Sequence, residues 1–229
     1  MSDIQDTMAH APLFGGLSRE ELTRIGSIAQ QKTYERGQAI FWEGDPGTGF
    51  YMVADGKVKI YKTSAEGKEQ ILHIYGPGNP FGEVPVFSGN RFPANAQALE
   101  KSRLLFFPRQ DFIQLISRHP SLALNMLAVL SMRLRQFTVQ VENLSLKEVP
   151  ARLASYLVYL SDEQSGAAVV DLPISKGQLA SLLGTIPETL SRIFNKMGQQ
   201  QLISVDGGRI GLLNRDALED LAAGARLDE

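Results

Sequence analysis

The 229-residue chain contains no cysteine. Disulfides, thiolate metal sites and cysteine-held iron–sulfur clusters are therefore excluded, and a reducing compartment is compatible with the composition. No run approaches 18 apolar residues, so no segment reads as a membrane span. Residues 1–14 carry Asp3 and Asp6 and lack an apolar centre, which does not read as a secretory leader. Charge of one sign is missing as well: 23 Lys and Arg against 25 Asp and Glu leave a formal −2. Any nucleic-acid footprint must then be local. There is no nucleophile elbow, no phosphate loop and no recognisable acid–base pair. The expectation is a cytoplasmic protein that is not an enzyme.

What is present is an ordinary globular composition, 43% hydrophobic and 21% charged, long enough for one large domain or two modest ones. One pattern dominates. Ala123, Leu127, Leu130, Leu134, Phe137, Val141 and Leu144 follow each other at alternating steps of four and three, with no Pro or Gly between them. That spacing keeps one apolar stripe of a helix facing a partner helix. Arg133, Arg135, Gln136, Gln140, Glu142 and Asn143 lie between the stripe positions and suit a wet face. The stretch reads as a dimer-forming rod between two domains.

Ahead of the rod, Ser18 and Glu21 form a capping box that opens a short helix, with Leu17 placed to staple onto Leu22. From Tyr34 onward short apolar runs alternate with Gly-, Pro- and Asp-rich turns. Strands are expected at residues 39–42, 49–53, 57–61, 70–75 and 94–99, the texture of an all-β sandwich or barrel. Residues 57–62 alternate polar and apolar, which predicts one wet face. A short helix over residues 109–117 follows Pro108, and Pro120 begins the rod. Residues 145–150 read as a hinge.

Beyond the hinge comes a helix with Leu153, Tyr156, Leu157 and Leu160 on one face, then a short strand at residues 169–172. Ser175 caps a helix reaching Leu183, and Gly184 makes the turn. Thr185 is the expected N-cap of the next helix, with Glu188 at N3 and Pro187 tolerated in its first turn. Two short helices joined so tightly form a helix-turn-helix, and the hairpin around Asp206-Gly207-Gly208 forms a wing. A closing helix is capped by Asn214. Such a second helix lies in a DNA major groove. Glu188, Thr189, Ser191, Arg192 and Asn195 are its polar set, and these side-chain types read base edges. Lys176, Lys196 and Arg209 are placed for phosphates. Residues 175–201 hold two Lys, one Arg and one Glu, a local +2.

This order of β-roll, long helix and winged helix-turn-helix resembles the Crp/Fnr family of bacterial transcription regulators. The resemblance covers almost the whole chain. Its most specific pieces are Phe81-Gly82-Glu83, residues 175–184, Glu188-Thr189-Leu190-Ser191-Arg192 and Leu202-Ile203. It implies an α+β architecture: an N-terminal cyclic-nucleotide-binding-like jelly roll (residues 1–118), a dimerisation helix and hinge (119–145) and a winged helix-turn-helix (146–229). It further implies a homodimer on pseudo-palindromic double-stranded DNA, and RNA polymerase as a partner if the protein is an activator. The Glu-x-x-Ser-Arg pattern looks like the Fnr branch, with TTGAT-like half-sites. Pro187 stands where Crp-like members place a base-reading Arg.

Effector recognition departs from the family pattern. Cyclic-nucleotide members follow a Gly-Glu pair, ten residues after the Glu, with Arg-Ser, which holds the phosphate. Here Gly82 and Glu83 match, but Pro93 and Ala94 replace Arg-Ser. The lost charge-assisted contact is worth roughly 1.5–3 kcal/mol, so cAMP is not expected; Arg91, two residues away, is the candidate substitute. Glu83 is read as a turn cap. A Cys-free sensor with an Fnr-like reader is similar to the Dnr-like and HcpR-like nitrosative-stress regulators, which implies haem b and nitric oxide. Haem needs an axial ligand. The candidates are His10 and His73, with Met52 or Met126 as second ligand by type; His119 reads as a helix-end residue. His73, Gly82, Glu83 and Arg91 form the expected effector pocket. The alternatives are a cyclic-nucleotide or other small-molecule regulator without haem, and a sensor that works through protein contacts without DNA readout.

Overall fold

The computed structural model describes residues 7–89 and 91–227. The chain divides into two compact units, Met1–Arg135 and Gln136–Glu229.

In the first unit a 3₁₀ turn at Pro12–Phe14 leads into α1 (Arg19–Ile28). Ser18 and Glu21 make both halves of the capping box, satisfying two N–H groups at the helix start. Eight strands follow: β1 (Gln30–Tyr34), β2 (Ala39–Phe41), β3 (Gly49–Asp55), β4 (Val58–Thr63), β5 (Glu69–Tyr75), β6 (Pro80–Phe81), β7 (Asn95–Ala98) and β8 (Ser102–Pro108), with α2 (Val84–Ser88) between β6 and β7. They form two four-stranded sheets, β1-β8-β3-β6 and β2-β7-β4-β5, and every pairing is antiparallel. α3 (Arg109–Arg118) and the start of α4 (Pro120–Leu146) close the unit.

The β3/β8 pair has two buried faces, which explains its nearly continuous apolar sequence. Phe50, Met52, Leu105 and Phe107 pack with Phe14, Leu22, Ile25, Phe112, Leu122 and Met126. Their alternate neighbours Tyr51, Val53, Leu104 and Phe106 enter a second core with Phe41, Tyr75, Phe81 and Phe92. That second core is aromatic: Phe41 stacks on Phe92 at 3.7 Å and Tyr51 on Phe81 at 5.4 Å. Gly82 has φ +71, and a Cβ there would lie 3.1 Å from Phe41, so this turn requires glycine.

Two expectations for this unit need correction. The sequence signals missed β1, whose polar Gln30-Gln31-Lys32-Thr33 forms a sheet edge, and the two-residue β6. The predicted wet face of residues 57–62 is absent. Lys59 is buried, ion-paired with Glu69 and 4.2 Å over the Tyr61 ring, and the register shifts between Ile60 and Tyr61, breaking the alternation.

In the second unit the end of α4 precedes α5 (Val149–Glu163), β9 (Val169–Asp171), α6 (Lys176–Leu182), α7 (Pro187–Gln199), β10 (Ile203–Asp206), β11 (Arg209–Leu212) and α8 (Arg215–Ala223). The hairpin β10–β11 is extended by β9 into a three-stranded sheet, β10-β11-β9. Leu153, Leu157, Leu160, Leu179, Leu190, Phe194, Met197, Ile203, Ile210 and Leu218 are all buried. Asn214 caps α8 by accepting from the Ala217 N–H. No helix among the described residues is long and apolar enough to cross a membrane.

Candidate nucleic-acid interface and effector pocket

The reader is assembled by local signals. Ser175 accepts from the Gln178 N–H while Gln178 reaches back to the Ser175 N–H, so α6 begins on a full capping box. Gly184 turns the chain at φ +67. α7 then starts one residue later than Thr185 predicts. Ile186 is its N-cap and Pro187 its first residue; Glu188 closes no capping box, and the Thr185 N–H donates instead to the Ala180 carbonyl. Pro at N1 needs no N–H partner there, which lets an apolar cap stand. Leu190, Ile193, Phe194 and Met197 bury one side of α7.

The opposite side carries the predicted readers. Glu188, Ser191, Arg192 and Asn195 are exposed and Thr189 is half-buried. Arg192 Nη2 donates to Thr189 Oγ1 at 3.2 Å, so the guanidinium lies along the helix toward its N-terminal turn. Of the expected phosphate contacts, Lys176 sits 5.2 Å over the Phe194 ring, Lys196 is half-buried, and Arg209 is exposed and pairs across the wing with Asp171 at 3.5 Å.

The sensor side differs from expectation at its most polar point. Arg133, read as a wet-face residue of α4, is 8% exposed. Its Nη1 lies 2.7 Å from Glu83 Oε1, Nη2 donates to the Pro80 carbonyl, and the guanidinium sits 4.6 Å over the Tyr75 ring. Glu83 is itself buried and makes no capping hydrogen bond at the start of α2, so it is an ion-pair partner rather than a turn cap. Sequence spacing could not show this, because Arg133 is separated from Glu83 by 50 residues.

His73 joins this group and Arg91 does not. The His73 ring is 4.3 Å from that of Tyr75. Burial, then the Arg133 charge, push its pKa down to about 4. Burial likewise pushes the Tyr75 hydroxyl up to about 12. Arg91 is exposed and donates to the Gly44 carbonyl at 2.6 Å, bridging the loop at Pro46. Pro93, at the phosphate-arginine position, is exposed and its carbonyl accepts from Lys62 Nζ, while Ala94, at the serine position, is buried.

The residues around His73 do not fit a haem. Its imidazole is neutral at pH 7, the ligating form, but a macrocycle there would have to displace Tyr75 or Arg133. Phe81 stacks beyond Tyr75 at 6.0 Å. Met52 and Met126 belong to the other core. His10 is exposed beside buried Ala11.

The stripe on α4 is divided in its surroundings. Leu130 packs on the first unit's own core, and Ala123 and Leu144 are half-buried. Leu127, Leu134 and Val141 are 59%, 69% and 63% exposed, and Phe137 is exposed with them.

Reader helix, wing and sensor roll in one chain define a transcription regulator with a cyclic-nucleotide-binding type of sensing domain. Residues 31–119 match the cyclic nucleotide-binding domain family, and residues 151–221 match the Crp-like helix-turn-helix domain family. The chain is 35% identical over 217 residues to the cyclic AMP receptor protein of Thermus thermophilus, covering 95% of this chain and 99% of that one. It is 29% identical over 215 residues to the fumarate and nitrate reduction regulatory protein of Escherichia coli, covering 92% and 86% respectively. FixK2 from Bradyrhizobium japonicum superposes with a TM-score of 0.76 at 26% identity, covering 87% of this chain and all of that one. The chain belongs to the Crp/Fnr family of transcription regulators. Its relatives are regulators rather than enzymes, and family members bind DNA.

Proposed function

We propose that the protein is a cytoplasmic homodimeric regulator that binds pseudo-palindromic DNA with TTGAT-like half-sites and answers to a small effector at Glu83 and Arg133. The observation that carries the dimer is the stripe of Leu127, Leu134, Phe137 and Val141 exposed on a single chain. A row of large apolar residues on one helix is costly in water and is relieved by a second copy. Arg192, exposed in the second turn of α7, supports guanine readout. RNA polymerase is the partner if the protein activates.

The effector proposed is not cAMP. The Thermus relative is named for cyclic AMP, but here Pro93 replaces the arginine that would hold a phosphate, and Arg91 is engaged with the Gly44 carbonyl. An effector that hydrogen-bonds the Glu83 carboxylate must compete with Arg133, a residue of the helix that carries the stripe. Its binding energy therefore depends on where that helix lies, which is the condition for a ligand to bias two states. The second reading, a haem-bound nitric-oxide sensor for nitrosative stress, rests on exposed His10 as the accessible ligand.

Fluorescence anisotropy with a duplex carrying two TTGAT half-sites one turn apart, against a scrambled duplex, tests the reading. Preference for the palindrome supports it, and equal binding at every salt concentration contradicts base readout. Haem titration of the same protein decides the second reading: a saturable Soret shift that His10→Ala removes supports it, and no shift ends it.

A further inference from the structure

The end of α4, the start of α5 and the turn of the helix-turn-helix are held by one side chain. Arg152 lies in the first turn of α5, its own N–H donating to the Glu148 carbonyl. Its guanidinium makes three hydrogen bonds, each 2.9 Å, all to main-chain carbonyls: Nε to Lys147, Nη2 to Leu144 and Nη1 to Leu183. These acceptors have a common origin. The last carbonyls of a helix lack intrahelical partners and carry the negative end of its dipole. Leu144 lies in the last turn of α4, Lys147 just past it, and Leu183 is the C-cap of α6. Two helix ends thus share one cation.

We propose that Arg152 is a positioning residue that registers the α6–α7 turn to the path of the chain at residues 144–147. A rigid planar fork with separate donors holds three acceptors at fixed mutual angles, which an ammonium cannot do. Rotation or bending of the α4 end moves two of the three carbonyls, and the guanidinium carries that movement to the residue preceding Gly184. The start of α7, three residues beyond Gly184, is where the DNA-facing side chains begin. This rests on the reading of α6–α7 as the DNA-binding pair. Arg152 is half-buried and contacts no base or phosphate in this scheme.

The test uses the full-length chain with Arg152→Gln and Arg152→Lys, and two readouts. Hydrogen exchange in Arg152→Gln should quicken about tenfold at the Lys147 and Thr185 amides, which bond to Asn143 and Ala180, while the wing amides of Leu212 and Leu213, which bond to Ala168 and Leu202, keep their wild-type rates. Affinity for the two-half-site duplex should fall about tenfold, with Arg152→Lys intermediate and the slope of log affinity against log salt unchanged, since no phosphate contact is lost. Equal acceleration at all four amides would reduce Arg152 to a general stabiliser and overturn the proposal. Unchanged exchange at Lys147 and Thr185 would also overturn it, as would an Arg152→Gln affinity equal to that of a wild type that binds the duplex. If the wild type binds no duplex, the DNA-reader assignment fails, and the exchange pattern alone decides whether Arg152 couples the two segments.

Discussion

Arg133 Nη1 lies 2.7 Å from Glu83 Oε1, and both side chains are 9% exposed. The helix that carries the apolar stripe therefore sends a cation into the β-roll, to the one acidic residue of the Phe81-Gly82-Glu83 motif. The relation gives the sensor a physical handle on the stripe: whatever takes Glu83 away from Arg133 must re-seat a buried guanidinium.

Breaking this pair from either side should destabilise more than replacing it whole. Arg133→Met leaves the Glu83 carboxylate buried without its partner, a change that costs about 3–5 kcal/mol in comparable buried pairs. Combining it with Glu83→Gln should recover much of that loss. Urea denaturation of the two singles and the double checks this; a double variant as unstable as the sum of the singles contradicts it.

His73 should impose an acid-side loss of stability. Its folded-state pKa of about 4 lies below the ordinary 6.5, so between those values the unfolded chain binds the extra proton. Stability is then full above pH 6.5 and falls as the pH drops toward 4, by up to about 3 kcal/mol. His73→Phe should flatten this part of the profile in pH-dependent thermal melts. A wild-type profile that is flat from pH 7 to 4.5 would contradict the burial of a neutral imidazole.

Much of this architecture was legible because its signals are local. The capping box at Ser18, the caps at Ser175 and Asn214 and the long helix α4 each depend on residues within a few positions of one another, and the structure shows all of them. Thr185 misled because a good capping residue beside a proline offers two starts, and the chain took the one with Pro187 at N1. Lys59 and Arg133 misled for a different reason. Charge normally marks a wet face, and only tertiary pairing with Glu69 or Glu83 buries it. Edge strand β1 has no apolar alternation to announce it, and its partner β8 lies some 70 residues on. The reader is legible from sequence because it works by exposed residues on one helix. The sensor is not, because its polar centre is built from β5, the Gly82 turn and α4 together.

Base reading and phosphate contact should separate in salt titrations. Arg192→Ala should weaken binding to the TTGAT duplex by about 1–3 kcal/mol and bring it toward the scrambled value. Lys196→Ala and Arg209→Ala should weaken both duplexes alike and each reduce the salt slope by about one. An Arg192→Ala loss that is equal on both sequences would remove that residue from the reading set.

Removing the Ser175 hydroxyl should loosen the first helix of the reader. Ser175→Ala deletes the acceptor for the Gln178 N–H, a loss of about 1 kcal/mol at a helix N-cap. Thermal melts should show the decrease, with Ser175→Asp restoring it; an alanine variant as stable as the wild type would show the cap to be idle.

The central claim is that two copies joined along α4 place two readers on one DNA site. Phe137→Glu tests it most directly, since Phe137 is 41% exposed on the single chain and tolerates a charge there only if no second helix covers it. Sedimentation equilibrium combined with anisotropy on the two-half-site duplex should find a dimer that binds tightly in the wild type, and a folded monomer that has lost tight binding in the variant. A monomeric variant that still binds the full palindrome as tightly as the wild type would contradict the account.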